Sequence, residues 1–419
     1  MRDVLPAECA YRAAVAADFR CVVARHGFVE IETPLLEKTA VFARTLGDES
    51  DVVAKEMYTF TPPTRTTAGG RSTRAHAALD SDSGVVSSDR DGSTAESLTL
   101  RPEGTAGVMR AAISGGLLNC SSSSSQSAPP SSTSAPLRLF YDGPMFRHER
   151  PQRGRYRQFR QLGVEMIGGS GHPHEDVDAI SVAYELLQHV IQRDAHRVTL
   201  LLNSLGDASS LASYRDALAR HFETHRASLS ADSEARRVRG AYLRILDSKN
   251  PQDVAAVAAA PPMLDFLTLD AAARFAAVRA GLDALGIAYE VSPRLVRGLD
   301  YYCHTVFEFV VTPRVGSGGD VGGDADAGGG GPLGTVLAGG RYDGLCAALG
   351  GPNGVGGIGE SAGADGINAV TAAVSAAALV LPLTPTLFNV QDGQLVSSAL
   401  CCCHRPQRRM CNCNLGPQS

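Results

Sequence analysis

No run of apolar residues in the 419-residue chain reaches the roughly 20 that a membrane-spanning helix needs. The longest candidate, residues 369–383, is short and alanine-rich. The first residues contain neither the apolar stretch of a signal peptide nor the Arg/Ser-rich pattern of a transit segment. The chain as written therefore reads as cytoplasmic, and a mitochondrial or chloroplast location would require a presequence upstream of Met1. Excess positive charge is also lacking. Net charge is -5, so no global basic field draws nucleic acid, and any RNA contact must come from a local patch. Metal-ligand spacing is missing among Cys9, Cys21, Cys120, Cys303 and Cys346, and the reading is reduced thiols and no protein metal site. Five more cysteines crowd the last 19 residues, where three adjacent ones cannot easily converge on one tetrahedral ion.

Three stretches lack any apolar period: 61–97 (Ser, Thr, Asp, Gly, Ala), 119–136 (a serine run and Pro129-Pro130) and 313–332 (glycine-rich and acidic). Each has too little apolar surface to offset its ordering entropy, which predicts disordered surface loops. Between them the chain is patterned. Tyr11, Val15, Phe19, Val22 and Val23 share one face of a predicted helix over 7–26, closed by Gly27. Short strands are expected at 28–31 and 98–101, and a helix at about 106–113. Residues 137–149 read as strand, turn, strand, and 157–167 as the returning strand. Val177, Ile180, Tyr184, Leu187 and Ile191 mark a helix over 174–194. A buried strand at 198–202 is followed by a mostly helical segment at about 210–290, then by strands at 304–311 and 335–338. Hairpin-like returns separated by helical blocks indicate an α+β fold with an antiparallel sheet flanked by helices. No strand is followed by a glycine-rich phosphate turn, so a parallel nucleotide-binding sheet is the weaker reading.

Four segments carry chemistry. The first, FRHERPQRGRYRQFRQLGVE (146–165), holds six arginines between Arg147 and Arg160. A guanidinium at a strand end, such as Arg147, can hold a phosphate bidentately. Glu149 can accept an exocyclic amine, Phe159 offers a stacking face, and Gln161 and Glu165 share one face of a strand. The second, LRPEGTAG (100–107), sets Glu103 and Thr105 together on a turn around Gly104. That suits a substrate ammonium, although a capped helix start explains it equally well. The third, LVRGLDYYCHTVFEF (295–309), puts Arg297 ahead of Asp300, Tyr301 and Tyr302. The fourth is AGGRYDGL (338–345). Taken singly, each of the last two could be a turn with core tyrosines.

Together these segments closely resemble the histidyl-tRNA synthetases of bacterial type. The arginine-rich hairpin looks like motif 2 of the class II synthetases, and RGLDYY and GGRYDGL look like the family's two histidine signatures. GFVEIETPLLEKTAVFAR (27–44) is similar to motif 1, and KEMYTF (55–60) and LRILDSKNP (243–251) also fit. The resemblance covers roughly residues 1–357 and implies a class II catalytic core over 1–360, with 361–419 as an atypical tail. It implies that histidine and ATP form histidyl-adenylate and that histidine then passes to the 3′ end of tRNA(His). Glu103, Gly104, Thr105 and Gln161 would hold the α-ammonium of histidine. Glu165 and Tyr302, with Tyr301 beside them, would flank the imidazole. Arg147 and Arg297 would bracket the α-phosphate, Glu149 and Phe159 would hold adenine, and Arg155 would reach the distal phosphates. Mg2+ would arrive with ATP. Motif 1 implies a homodimer, independently the commonest oligomer.

Past about Gly351 the pattern departs from the family. GGPNGVGGIGESAGADGINAV has the glycines of motif 3, but no arginine follows before Arg405. The tail lacks the strand–helix alternation of the family's anticodon-binding domain, and a shifted frame or mis-joined exon accounts for it better than a metal site. A non-catalytic, synthetase-like regulatory subunit of histidine biosynthesis is the alternative reading. The intact motif 2, PEGT and RGLDYY favour the ligase.

Overall fold

The computed structural model describes residues 3–47, 52–61, 97–119, 135–149, 156–191, 196–296, 299–313 and 334–363, all within one compact unit, Met1–Ala376. The strands are β1 (Val29–Glu30), β2 (Leu36–Lys38), β3 (Tyr58–Phe60), β4 (Leu98–Leu100), β5 (Leu137–Phe146), β6 (Gln158–Ile167), β7 (His196–Ser204), β8 (Tyr289–Val291), β9 (Cys303–Pro313), β10 (Gly334–Arg341) and β11 (Gly357–Gly363). The helices are α1 (Pro6–Arg25), α2 (Thr39–Leu46), α3 (Thr105–Ser114), α4 (Pro173–Val190), α5 (Ala208–Thr224), α6 (Ala231–Val238), α7 (Tyr242–Leu246), α8 (Val254–Ala258), α9 (Leu269–Ala284) and α10 (Leu345–Ala348). The low-complexity stretches, apart from their edges, and the tail beyond Gly363 lie outside the described residues.

Eight strands form one sheet in the order β1-β5-β6-β11-β10-β9-β7-β8, and β2-β4-β3 form a small antiparallel one. The large sheet is antiparallel through its middle, as its hairpin-like returns imply. Its two ends are parallel, at β1 with β5 and at β7 with β8, an addition to the expected antiparallel sheet. Both parallel strands are two or three residues long. Alternation over so few residues gives no sign of strand direction.

Residues 137–146 are one strand and not two. Gly143 and Pro144 pair with Gln161 and Arg160 on β6. On the other side, β1 pairs only as far as Phe140, so the missing N–H of Pro144 breaks no ladder there. Gly143 is needed because a Cβ would meet Nη2 of Arg101 at 2.2 Å. That buried guanidinium donates to the carbonyls of Pro144 (2.9 Å) and Thr33 (2.7 Å), tying three segments together.

Side-chain alternation gives the sheet two unlike faces. Val164 and Met166 of β6, Ile358 and Ala362 of β11, and Phe307 and Phe309 of β9 form an apolar core with the buried stripes of α1 (Val15, Phe19, Val22, Val23) and α4 (Val177, Ile180, Leu187). Pro6 and Pro173 start these helices where a missing N–H has no cost, and a left-handed Gly27 (φ 74°) follows α1. The opposite face carries Tyr141 of β5 and Ile167 of β6 against Val108, Met109 and Ala112 of α3 and against the helical segment through Tyr214, Leu218 and Ile245. The polar residues of the candidate site lie on this second face. The helical segment runs from α5 to α9, close to the predicted 210–290, with Asp207, Ser230 and Thr268 accepting from backbone N–H groups at its helix starts.

Candidate active site

Glu165 sits in the second half of β6 and is fully buried. Its Oε1 accepts from the Thr105 hydroxyl at 2.7 Å, and its Oε2 accepts a short bond from the Tyr342 hydroxyl. Burial pushes the carboxyl up to about 8, against the pull of these two bonds, and Glu103 adds repulsion. Directly across the ladder is Gly359 of β11, whose missing side chain leaves the space that Oε2 occupies. Gln161, two positions along the same face, donates from Nε2 to the Ser361 hydroxyl at 2.7 Å. Its Oε1 is buried with no hydrogen-bond partner among the described residues.

The PEGT turn supplies the facing wall. Glu103 accepts from the N–H groups of Thr105 (2.6 Å) and Ala106 (2.9 Å), so its carboxylate caps α3. Burial raises its pKa, while these two N–H groups and the nearby Arg147 charge lower it. Each oxygen takes only one of these bonds, which leaves lone pairs for a ligand. Gly104 and Gly163 clasp the ring of Tyr141, since a Cβ on either would come within 2.2 or 2.3 Å of it. The Tyr141 hydroxyl is buried between Thr105 and Glu165, with no hydrogen bond of good geometry among the described residues. Burial raises its pKa well above the ordinary value, and Glu165 and Glu103 add to the rise.

Tyr302, buried beside Gly340, lies 4.6 Å ring to ring from Tyr301, which in turn meets Tyr342 edge-on at 5.9 Å. The two signatures thus converge beside Glu165. Asp300 points elsewhere. It accepts from Arg244 of α7 at 3.1 Å and packs where Gly47 has no side chain. Arg341 also faces away from the site. Its guanidinium is buried in ion pairs with Asp176 (2.7 Å), Glu175 (3.0 Å) and Asp343 (2.7 Å), clamping β10 to the start of α4.

At the open end of β5, Arg147 donates from Nε to the Pro102 carbonyl at 2.9 Å. Its guanidinium stacks over the Phe159 ring at 5.3 Å and lies 3.8 Å from Glu149. Of the residues singled out from the sequence, Glu103, Gly104, Thr105, Gln161, Glu165, Tyr301 and Tyr302 therefore gather at one end, and Arg147, Glu149 and Phe159 at the other. Arg155 and Arg297 lie outside the described residues.

Sequence reasoning missed Tyr342, Tyr141 and Gly359. The first had a signal, since it stands in the GGRYDGL motif. It also missed a grouping of Cys303, His304 and Asp343, whose ligand atoms lie within 4.8 Å of one another. The pair at 303–304 and the acid at 343 are too far apart in the chain for spacing to reveal them.

The sequence pattern described as histidyl-tRNA synthetase matches residues 71–363. The chain is 46% identical over 371 residues to the histidine–tRNA ligase of Rhodospirillum rubrum, a match covering 88% of this chain and 74% of that protein. It is 45% identical over 333 residues to the histidine–tRNA ligase of Gluconacetobacter diazotrophicus, covering 80% and 65% respectively. The apo crystal structure of S. aureus histidyl-tRNA synthetase superimposes with a TM-score of 0.57 at 29% identity, over 91% of this chain and 74% of that one. With the family pattern extending over most of the chain, and the sheet and buried site in place, the chain belongs to the histidyl-tRNA synthetase family and has the class II catalytic fold.

Proposed function

We propose that this site joins histidine to ATP as histidyl-adenylate and that the chain then transfers histidine to the 3′ end of tRNA(His), acting as a histidine–tRNA ligase. The observation that carries the reading is the buried Glu165 carboxylate, held between the Thr105 and Tyr342 hydroxyls in the space that Gly359 leaves for it. A buried acid so fixed is suited to an imidazole N–H, and a site of this kind rejects analogues that leave it unpaired. Tyr302, with Tyr301 beside it, completes the imidazole pocket. Glu103, Gly104, Thr105 and Gln161 take the α-ammonium, a role supported by the unpartnered Oε1 of Gln161. The histidine carboxylate then attacks the α-phosphorus in line, and pyrophosphate leaves. Arg147 and Arg297 stabilise the charge on the α-phosphate. Glu149 and Phe159 hold adenine, and Arg155 reaches the distal phosphates. Mg2+ enters on the phosphate oxygens of ATP. In the second step a ribose hydroxyl of tRNA attacks the acyl carbon and AMP leaves.

Histidine-dependent ATP–pyrophosphate exchange, with other amino acids as controls, tests the first step. Exchange with histidine alone is expected, and Arg297→Ala should abolish it while leaving the fold intact. Near-normal exchange in that variant would overturn the assignment. The regulatory alternative is not favoured, because the relatives described above are ligases.

The chain works as a homodimer joined near the motif 1 segment. Several exposed apolar side chains lie on or beside that segment, with Val29 at 57%, Leu36 at 47% and Phe60 at 49% accessibility, a surface that a partner would cover. Light scattering at micromolar concentration should give twice the chain mass, and a monomer would count against it. Among the described residues no helix is long and apolar enough to cross a membrane.

A further inference from the structure

We propose that Cys303, His304 and Asp343 bind one divalent transition-metal ion of the zinc class, at a site next in the chain to Tyr302 and Tyr342. Cys303 opens β9 and Asp343 lies just beyond β10, and the register brings them together by pairing Arg341 with Cys303. One ligand atom from each residue lies within 4.8 Å of the others, and all three are partly buried. Thiolate, imidazole and carboxylate are ligands that Zn2+ accepts, with water free to fill a fourth position. Bonds of about 2.0–2.3 Å would need ligand atoms roughly 3.3–3.8 Å apart, so the side chains must draw inward by about 1 Å.

Two independent features single out His304. It is the only described non-glycine residue with a positive φ (47°), a conformation that is uncommon for a bulky residue and associated with functional positions. The backbone holds it there, His304 N–H donating to Gly206 (2.8 Å) and its carbonyl accepting from Leu205 (2.7 Å). Its Nδ1 is buried with no hydrogen-bond partner among the described residues, which is costly unless a ligand completes it.

The surrounding charges admit a dication. Arg341 and Arg274 bring two positive charges, and Asp176, Glu175 and Asp343 bring three negative ones. Binding displaces the Cys303 thiol proton to solvent, so the thiolate and the surplus carboxylate together balance the ion. Oδ1 of Asp343 already accepts from Arg341 (2.7 Å) and from the Gly357 N–H (3.3 Å), which leaves Oδ2 for the metal. Because Tyr302 precedes Cys303 and Tyr342 precedes Asp343, the ion would brace both tyrosines through the chain.

The test uses the full chain, reduced, with Cys401, Cys402, Cys403, Cys411 and Cys413 replaced by serine to silence the tail. Co2+ should produce a thiolate-to-metal charge-transfer band, and equilibrium dialysis should find one Zn2+ per chain. Cys303→Ser should remove the band and weaken Zn2+ binding by about 100-fold or more. Asp343→Asn, which keeps the thiol, should weaken it by about 10-fold or more. Absence of the band in the tail-silenced chain would overturn the proposal whatever the variants do. So would a band that survives in Cys303→Ser, or Zn2+ binding in Asp343→Asn equal to that of its parent.

Discussion

Gly359 and Glu165 face each other across adjacent strands, and a Cβ on the glycine would stand 1.8 Å from the glutamate's Oε2. The carboxylate and a side chain at position 359 therefore exclude one another. Gly359→Ala should push Glu165 out of line with Thr105 and Tyr342, and its Cβ would also press on the Val164 carbonyl of β6 at 2.8 Å. A displacement of about 1 Å in a substrate-positioning group can cost on the order of 100-fold in rate. A loss of that size in histidine-dependent exchange is expected, with the ATP KM changed far less. Exchange within a few-fold of the parent would show that the space over Gly359 is not used.

Tyr342 is the donor whose removal should be visible in pH dependence. Its bond favours the ionised form of Glu165, whose pKa burial has already raised to about 8. In Tyr342→Phe that support is gone and the pKa moves further up. The acidic limb of kcat/KM for histidine, which reports the free enzyme, should therefore lie near 8 in the parent and higher in the variant. Above about pH 8, where Glu165 is ionised in the parent, the KM for histidine should rise about 10-fold, as for a lost hydrogen bond to a charged group. An unmoved acidic limb would remove Glu165 from the role proposed for it.

Much of this arrangement was legible because the pieces are local. The stripe of Val15, Phe19, Val22 and Val23 announces α1, and Glu103 and Thr105 are close because only Gly104 separates them in the chain. The even spacing of Gln161 and Glu165 puts both on one strand face, and both do line the same wall. What could not be read depends on contacts between distant segments. Tyr342 reaches Glu165 across 177 positions of chain, and no periodicity encodes that. β11 was hidden because glycine at 357, 359 and 363 removes the alternation that marks a strand, although Gly357 and Gly359 are what the Tyr342 and Glu165 side chains require. The in-strand Gly143-Pro144 looked like a turn because sequence shows the breaker residues but not how short the partner strand β1 is.

Arg341 shows a signature residue with a structural task. Asp176 is fully buried and Glu175 nearly so, and Arg341 bridges both, with Arg274 and Thr305 also bonded to Asp176. Removing one member of such a network leaves buried charge unpaired, a loss of about 3–5 kcal/mol. Arg341→Met should lower stability by about that amount in urea unfolding. Arg341→Lys, which keeps the charge but loses the planar fork, should fall between it and the parent. Equal stability of Arg341→Met and the parent would refute the strut role.

Glu360 is the residue of β11 that the fold accommodates least well. It follows Gly359 and so faces the other side of the sheet, between Ile358 and Ala362 in the apolar core. Its Oε2 has no hydrogen-bond partner among the described residues, and burial raises its pKa well above the ordinary value, with Glu165 adding to the rise. The folded state then holds a proton that the unfolded state has released. By linkage, stability is fully present below the unfolded pKa near 4.5 and falls as pH rises toward the folded value. Each such group contributes a slope of up to about 1.4 kcal/mol per pH unit within that window. Glu165 acts in the same direction between about 4.5 and about 8. Glu360→Met replaces the acid with an apolar side chain of similar length. It should stabilise the chain by about 1–3 kcal/mol at neutral pH and flatten the decline between pH 5 and pH 8, leaving the share due to Glu165. Thermal melts of parent and variant across that range provide the check. A variant that melts lower than its parent, with an unchanged pH slope, would mean that Glu360 has a partner worth more than its burial costs.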